Sequence, residues 1–414
     1  MKKNTSWWLV LLLLFSTSLF AQDKGVHFEH GLTWAQVQAK AKAEHKYIFI
    51  DCFTSWCGPC KMMDTLVYPL QEVGDSVNAK FISIRMQMDR TIKDSPDTKL
   101  LYNDAVEINK EYHIVAYPTF LFFNSDGHIV HRATGGRLPA TEFIKTAAEA
   151  RDPSTQYYTL LGNFNKNPGS NPAEIRKLAD MAYYNHDQKA LSTFVTAYVS
   201  TQRNIYTKGN LDFLYKYTLS SKDSSFKVFL FHGNKVDAIL GKGKSAGKIL
   251  EIAYEEDYHD SAVPGESPNW KTTEAILESN YPGYGKELTS WFQIEYYLYS
   301  AKDWNKLAPA MNHYMAKYKS DIVLRFVDGI SQGIFEECTD KSCLDVALAW
   351  SKLAKDLGNP TSNITYANLL YKTGNTPEAI RLMTAMLNRG GIGSNMFVDL
   401  IDKMNKGEKT WTNP

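Results

Sequence analysis

YIFIDCFTSWCGPCK, residues 47–61, places an apolar run, Tyr47 to Phe53, immediately before a Cys-x-x-Cys motif. The run has the length and composition of a buried strand, and Thr54 and Ser55 break it. Gly58 and Pro59 then make a tight turn that starts a helix, so Cys57 falls at the helix N-terminus. There the unpaired backbone N–H groups and the positive end of the helix dipole favour a thiolate, lowering the pKa of a thiol from its usual value of about 8.5. Cys60, one helical turn on, is shielded beneath it and suited to resolving a mixed disulfide. Asp51 interrupts the apolar strand, where an unpaired carboxylate is costly. It is read as an acid of raised pKa that exchanges a proton with Cys60 through water.

Helix and strand patterns alternate on either side of the motif, from Val26 to about Ala150. Trp34, Val37 and Ala41 lie at helical spacing, and over Lys61 to Glu72 the residues Met62, Leu66 and Leu70 suggest a helix despite Pro69. Phe81 to Met86 reads as a second buried strand and Leu100 to Tyr112 as a helix. Thr119 to Phe123 and His128 to Ala133 flank Ser125, Asp126 and Gly127 as a hairpin, and a helix from Pro139 to Ala150 turns Phe143, Ile144 and Ala147 toward the sheet. Tyr117 and Pro118 precede the hairpin. A cis proline there brings the Tyr117 backbone beside the sulfurs, with an edge on which a substrate chain pairs as an added strand.

These residues resemble the thioredoxin superfamily over roughly 26 to 150, about a third of the chain. Asp51, Trp56, Cys57, Gly58, Pro59, Cys60, Lys61, Pro118, Thr119 and Gly135 stand where that family carries its buried acid, active-site motif, cis-proline loop and neighbouring glycine, and Arg85 resembles the lysine that often accompanies the acid. The resemblance implies an α/β thioredoxin fold, disulfide exchange with protein substrates and no bound cofactor. It makes Cys57, Cys60 and Asp51 the catalytic candidates, the first two as the redox-active disulfide. Trp56, Gly58, Pro59, Tyr117, Pro118 and Gly135 are the candidates for contacting a substrate. Two departures stand out: Thr65 replaces the proline usual five residues after the second cysteine, and residues between Asp89 and Tyr112 exceed the usual connection. The longer connection, the opening WAQVQAKAK from Trp34 and the strand entry at Lys46 look closer to the exported thioredoxin-like branch than to the short cytosolic proteins. Gly-Pro between the cysteines is the choice of reducing thioredoxins, which favours a protein-disulfide reductase over an oxidase or isomerase.

Past Ala150 the pattern changes. A linker is expected over 151–175, including NFNKNPGSNP from Asn163, and an all-α helical-hairpin domain over 176–414, after a thioredoxin-like domain over 22–150. One unit recurs loosely, as YYNHDQKAL from Tyr183, YSAKDWNKLA from Tyr299 and YKTGNTPEAI from Tyr371; the last resembles the turn of a tetratricopeptide repeat, with an unrelated helical bundle as the alternative. Cys338 and Cys343 read either as a disulfide stapling a turn or as two free thiols, since a continuous helix would hold them apart. Cys52, on the strand face opposite Asp51, reads as a small buried hydrophobe. His131 and Arg132 are candidates for the rim of the active groove. GKGKSAGK from Gly241 departs from a phosphate loop at Lys242 and Ile249 and reads as a basic loop or helix start. No metal site is expected: the histidines occur singly, and the Cys-x-x-Cys unit lacks a second ligand pair in its own domain.

Lys2 and Lys3 before the apolar run Trp7 to Phe15, ending in small and polar residues to Ala21, read as a signal peptide over 1–21. The mature chain is then expected to be soluble and periplasmic or otherwise extracytoplasmic, recharged by a membrane-borne thiol electron donor. Lys and Arg number 46 against 45 Asp and Glu, which gives no global field to draw nucleic acid, and no nucleic-acid partner is expected. A competing reading makes the helical region a repeat-type scaffold for an envelope protein, with the N-terminal domain as a redox-gated clamp.

Overall fold

The computed structural model describes residues 24–169, 171–258, 268–318, 323–359, 361–388 and 394–411; the expected leader, 1–21, lies outside them. The chain forms two compact units, one of residues 24–169 with 180–190, the other of 171–179 with the residues from 191 onward.

The first unit runs α1 (Trp34–Glu44), β1 (Tyr47–Phe53), α2 (Gly58–Leu66), α3 (Gln71–Val77), β2 (Phe81–Gln87), α4 (Pro96–Leu100), α5 (Tyr102–Tyr112), β3 (Thr119–Phe123), β4 (Ile129–Thr134), α6 (Ala140–Glu149) and α7 (Tyr157–Lys166). The sheet order is β2-β1-β3-β4, with β1 parallel to β2 and antiparallel to β3, and β3 antiparallel to β4. Alternation along β1 sorts its side chains between two layers. Ile48, Ile50 and Cys52 pack with Val37 and Ala41 of α1 and Ala105 and Ile108 of α5, whereas Phe49 packs with Met63 of α2, Val73 of α3 and Phe143 of α6. Asp51 therefore faces the α2 side, and Cys52 is the buried apolar filler its position implied.

The expected single helix from Lys61 to Glu72 is two. Tyr68 precedes a proline and is disfavoured in helix, and Pro69 offers no N–H, so α2 ends at Leu66 and α3 starts at Gln71. Met62, Leu66 and Leu70, whose spacing suggests the helix, are exposed, while Cys60, Met63 and Val67 are buried. The motif fixes this register, because the face that shelters Cys60 must carry residues three and seven positions later. The helix expected from Leu100 is likewise divided, with a short α4 capped by Ser95, whose side chain accepts from the Thr98 N–H, preceding α5.

The stretch expected to be a turn-rich linker contains α7, which belongs to the first unit. Its start is anchored where the Tyr157 N–H donates to His131 Nδ1 at 3.0 Å and the Tyr157 hydroxyl donates to Asp187 at 2.8 Å. His131 and Arg132 consequently do not border a groove: both are buried, and Arg132 donates to the Tyr112 and His113 carbonyls at the end of α5. His131, tied to α7, needs an unprotonated Nδ1 to accept that bond.

The described residues of the second unit are helical, including Lys244–Ala253 where GKGKSAGK begins a helix, and two π-helical turns, Tyr254–Tyr258 and Tyr296–Ser300. The three recurring sequence units share one turn. Each has a left-handed residue, His186, Lys302 or Gly374, followed by Asp187, Asp303 or Asn375, whose side chain accepts a backbone N–H three residues later. Each then buries an alanine, Ala190, Ala308 or Ala379. A left-handed stop followed by an Asx cap is a compact way to reverse a helix, and it accounts for the loose likeness of these segments.

Candidate active site

Cys57 is the N-cap of α2, in extended backbone, and Pro59 occupies the first turn. Its sulfur accepts the Cys60 N–H at 3.0 Å, a donor the helix itself leaves unpaired. Cys57 and Cys60 are joined in a disulfide, with sulfurs 2.03 Å apart. Each cysteine is 2% exposed in this oxidised form, but Ser55, Gly58 and Pro59 are exposed and Trp56 is 68% exposed. The bond thus lies just below a surface rim.

Several elements hold that rim. Asp89, beyond β2, accepts from Ser55 through both its backbone N–H, at 2.9 Å, and its hydroxyl, fixing the loop before Trp56. Trp56 meets Tyr117 edge to face with ring centroids 5.8 Å apart. The Tyr117–Pro118 peptide is cis, the Pro118 carbonyl accepts the Gly135 N–H at 2.8 Å, and the backbone of Gly136 lies against Pro59. Pro118, Gly135 and Pro59 therefore meet on one side of the motif and Trp56 and Tyr117 pack together, joining the substrate-contact candidates. Gly135 has φ +90°, where an L side chain is strained, and an added Cβ would meet only Arg137 at 3.7 Å. Gly135→Ala is expected to cost about 1–2 kcal/mol through backbone strain alone, read as a lower urea midpoint at unchanged slope.

Beneath the motif, Asp51 is fully buried, and burial pushes it up to about 6 against the opposing pull of Arg85. Asp51 and Arg85 are register partners on β1 and β2, and Arg85 Nε donates to Asp51 Oδ2 at 3.3 Å. The other end of the guanidinium reaches Asp64 of α2 at 3.0 Å, and its face covers the Phe53 ring at 4.1 Å. The buried Tyr68 hydroxyl lies close enough to lower the pKa of the same carboxyl, but neither it nor Asp51 Oδ1 has a well-formed hydrogen bond. A carboxyl with one free oxygen and a pKa near neutrality, on the sheet face covered by the active-site helix, can take up and return a proton.

Asp64, Tyr68 and Asp89 were not singled out from the sequence. Asp64 lies four residues after Cys60 and so on the same helix face, a signal that was available. Tyr68 and Asp89 become visible only when the chain returns through α3 and β2.

A helix-capping dithiol, a buried acid on the adjacent strand and a cis-proline loop opposite define a thioredoxin-fold thiol:disulfide oxidoreductase domain. The family described as Thioredoxin-like domain matches residues 34–151. Thioredoxin Asp f 29 of Aspergillus fumigatus is 30% identical over 95 residues, 23% of this chain and 71% of that protein. Thioredoxin-2 of Pyricularia oryzae is 29% identical over 119 residues, 28% of this chain, and the chain spans 58% of that relative's length. A thiol:disulfide interchange protein DsbD from Colwellia psychrerythraea is 28% identical over 141 residues, 33% of this chain and 22% of that protein. The chain belongs to the thioredoxin family through this domain. Its helical second unit is outside the matched residues.

Proposed function

We propose that this protein is an extracytoplasmic reductase of protein disulfides, working through Cys57 and Cys60, with the helical unit selecting or positioning its protein substrates. The observation that carries the reading is the sulfur of Cys57 at the head of α2, accepting the Cys60 N–H next to the exposed Trp56. In the reduced protein the Cys57 thiolate attacks one sulfur of a substrate disulfide. That bond breaks, a mixed disulfide forms, and the departing substrate thiolate takes a proton from solvent. Cys60 then gives its proton to the Asp51 carboxylate and attacks the Cys57 sulfur. The second substrate thiolate leaves, and the chain returns to the disulfide form. A substrate strand running beside Pro118 would pair with the Tyr117 backbone, with Trp56, Gly58, Pro59 and Gly135 around it.

Recharging requires an external dithiol donor, for which a membrane-borne carrier suits an exported chain. Export rests on the leader reading of residues 1–21, and among the described residues no helix is long and apolar enough to cross a membrane. The kinship to thioredoxins and the Gly-Pro between the cysteines support the reducing direction. The test is the reduction potential of the Cys57–Cys60 pair, by equilibration against dithiothreitol and glutathione couples. A value near about −270 mV is expected, whereas one near about −120 mV would make the protein an oxidant and overturn the proposal.

A further inference from the structure

The helical unit holds two cysteines that the proposed reaction does not use. Cys338 follows the end of helix Val323–Glu337, and Cys343 lies in the first turn of helix Lys341–Asp356. The two do not sit on one continuous helix. Asp340 caps the second helix, accepting the Ser342 and Cys343 N–H groups, and its own N–H donates to Cys338 Sγ at 3.3 Å. The two cysteines share this one cap, Cys338 through its sulfur and Cys343 through its backbone N–H, and they lie close enough for each to shift the other's pKa. Both residues are fully buried, but Thr339, Asp340, Lys341 and Ser342 above them are all exposed, so local opening of one short turn gives access.

We infer that Cys338 and Cys343 are a second redox pair, which closes to a disulfide across the turn between these two helices. The two sulfurs have different surroundings. Cys338 accepts from the Asp340 N–H, and the neighbouring Cys343 thiol, this bond and the Lys372 ammonium lower its pKa. Cys343 donates to the Trp304 carbonyl at 3.1 Å, and its pairing with Cys338 and its burial push its pKa well up. Cys338, whose sulfur accepts a backbone N–H, is accordingly the attacking sulfur, and Cys343, whose S–H is held by the Trp304 carbonyl, keeps its proton until the second step. With a low-molecular-weight disulfide as oxidant, the Cys338 thiolate attacks and releases one thiolate, forming a mixed disulfide. Cys343 then loses its proton and attacks the Cys338 sulfur, releasing the second thiolate. Two protein thiols become one disulfide, and the oxidant is reduced to two thiols. The third cysteine outside the active site, Cys52, is fully buried in the other unit with its pKa pushed far up, and takes no part.

The test uses the full-length chain and counts its five cysteines. Wild-type protein is held in oxidised glutathione, quenched in acid, alkylated with N-ethylmaleimide in denaturant and weighed intact. Closure of the active-site pair alone leaves three alkylated cysteines; closure of both pairs leaves one, Cys52, with a cross-linked peptide joining Cys338 to Cys343. The second outcome is expected. In Cys343→Ser the same treatment is expected to leave a glutathione adduct on Cys338, and in Cys338→Ser far less adduct on Cys343. Three alkylated cysteines in monomeric wild type, or adducts equal on both single variants, would overturn the inference. Neither outcome depends on the direction in which Cys57 and Cys60 work.

Discussion

Cys57→Ser is expected to reduce insulin-disulfide reduction to the uncatalysed background, a loss on the order of a thousandfold or more, because a serine hydroxyl at the head of α2 supplies neither the thiolate nor the sulfur of the mixed disulfide. Cys60→Ser should lose turnover as completely while leaving the first step intact. The two cysteines act in sequence on one bond, so the double variant should be no worse than either single one. They differ in what they leave behind. Cys60→Ser should accumulate substrates bonded to Cys57 that are released by dithiothreitol, and Cys57→Ser should accumulate none. The same capture distinguishes the reductase from a scaffold, since partners retained equally without either cysteine would make the helical unit primary. Equal insulin reduction by wild type and Cys57→Ser would remove the enzymatic reading.

The second large effect is on stability against pH, and it comes from two buried groups with opposite signs. Asp51 has its pKa raised from 3.8 to about 6, so between those values the folded state binds more protons than the unfolded one. The stability it confers at low pH is lost as pH rises through 6, by about 3 kcal/mol at 1.36 kcal/mol per unit. His131 has its pKa lowered from 6.5 to about 4, chiefly by burial, and must be neutral to accept from Tyr157. Its contribution is present above pH 6.5 and is lost as pH falls through 4, again by about 3 kcal/mol. In the wild type the two slopes oppose each other between pH 4 and 6. Each variant uncovers the other group: Asp51→Asn should gain up to about 3 kcal/mol over wild type at pH 7.5 and nothing at pH 4, and its stability should climb with pH. His131→Asn, which keeps an acceptor for Tyr157, should show the reverse slope. Urea unfolding from pH 4 to 7.5 gives the difference curves, and curves parallel to wild type for both variants would contradict the assignment. Asp51→Asn should also turn over more slowly despite its greater stability, because the acceptor for the Cys60 proton is gone.

The motif and its strand were legible because the sequence signals agree there. An apolar run, a polar break, Gly-Pro at the start of a helix and a carboxylate with no neighbour to pair with admit few alternatives. The apolar spacing of Met62, Leu66 and Leu70 marks a helix but not its buried side, since Cys60 sets that side one residue away and Pro69 cuts the pattern short. Closeness in sequence to Gly135 suggests a place at the rim for His131 and Arg132. Their side chains instead secure α7 and the end of α5, contacts 26 and 20 residues distant that no local pattern encodes. The Cys338–Cys343 contact follows from a helix break at Asp340, and its cap signal, Asp-Lys-Ser, stands in the sequence. The shared reversal at His186, Lys302 and Gly374 was visible only as a loose recurrence, because the left-handed residue differs in type each time.

The proposed reductase chemistry depends on the Cys57 sulfur being more reactive than its partner when the bond between them is open. The direct measurement is limited carbamidomethylation of the freshly reduced chain at pH 7, followed by peptide mapping of all five cysteines. Labelling of Cys57 well ahead of Cys60, with Cys52, Cys338 and Cys343 slower still, is the predicted result. Labelling of Cys60 as fast as Cys57, or a Cys57 that stays unmodified while denaturant makes it react, would contradict the account.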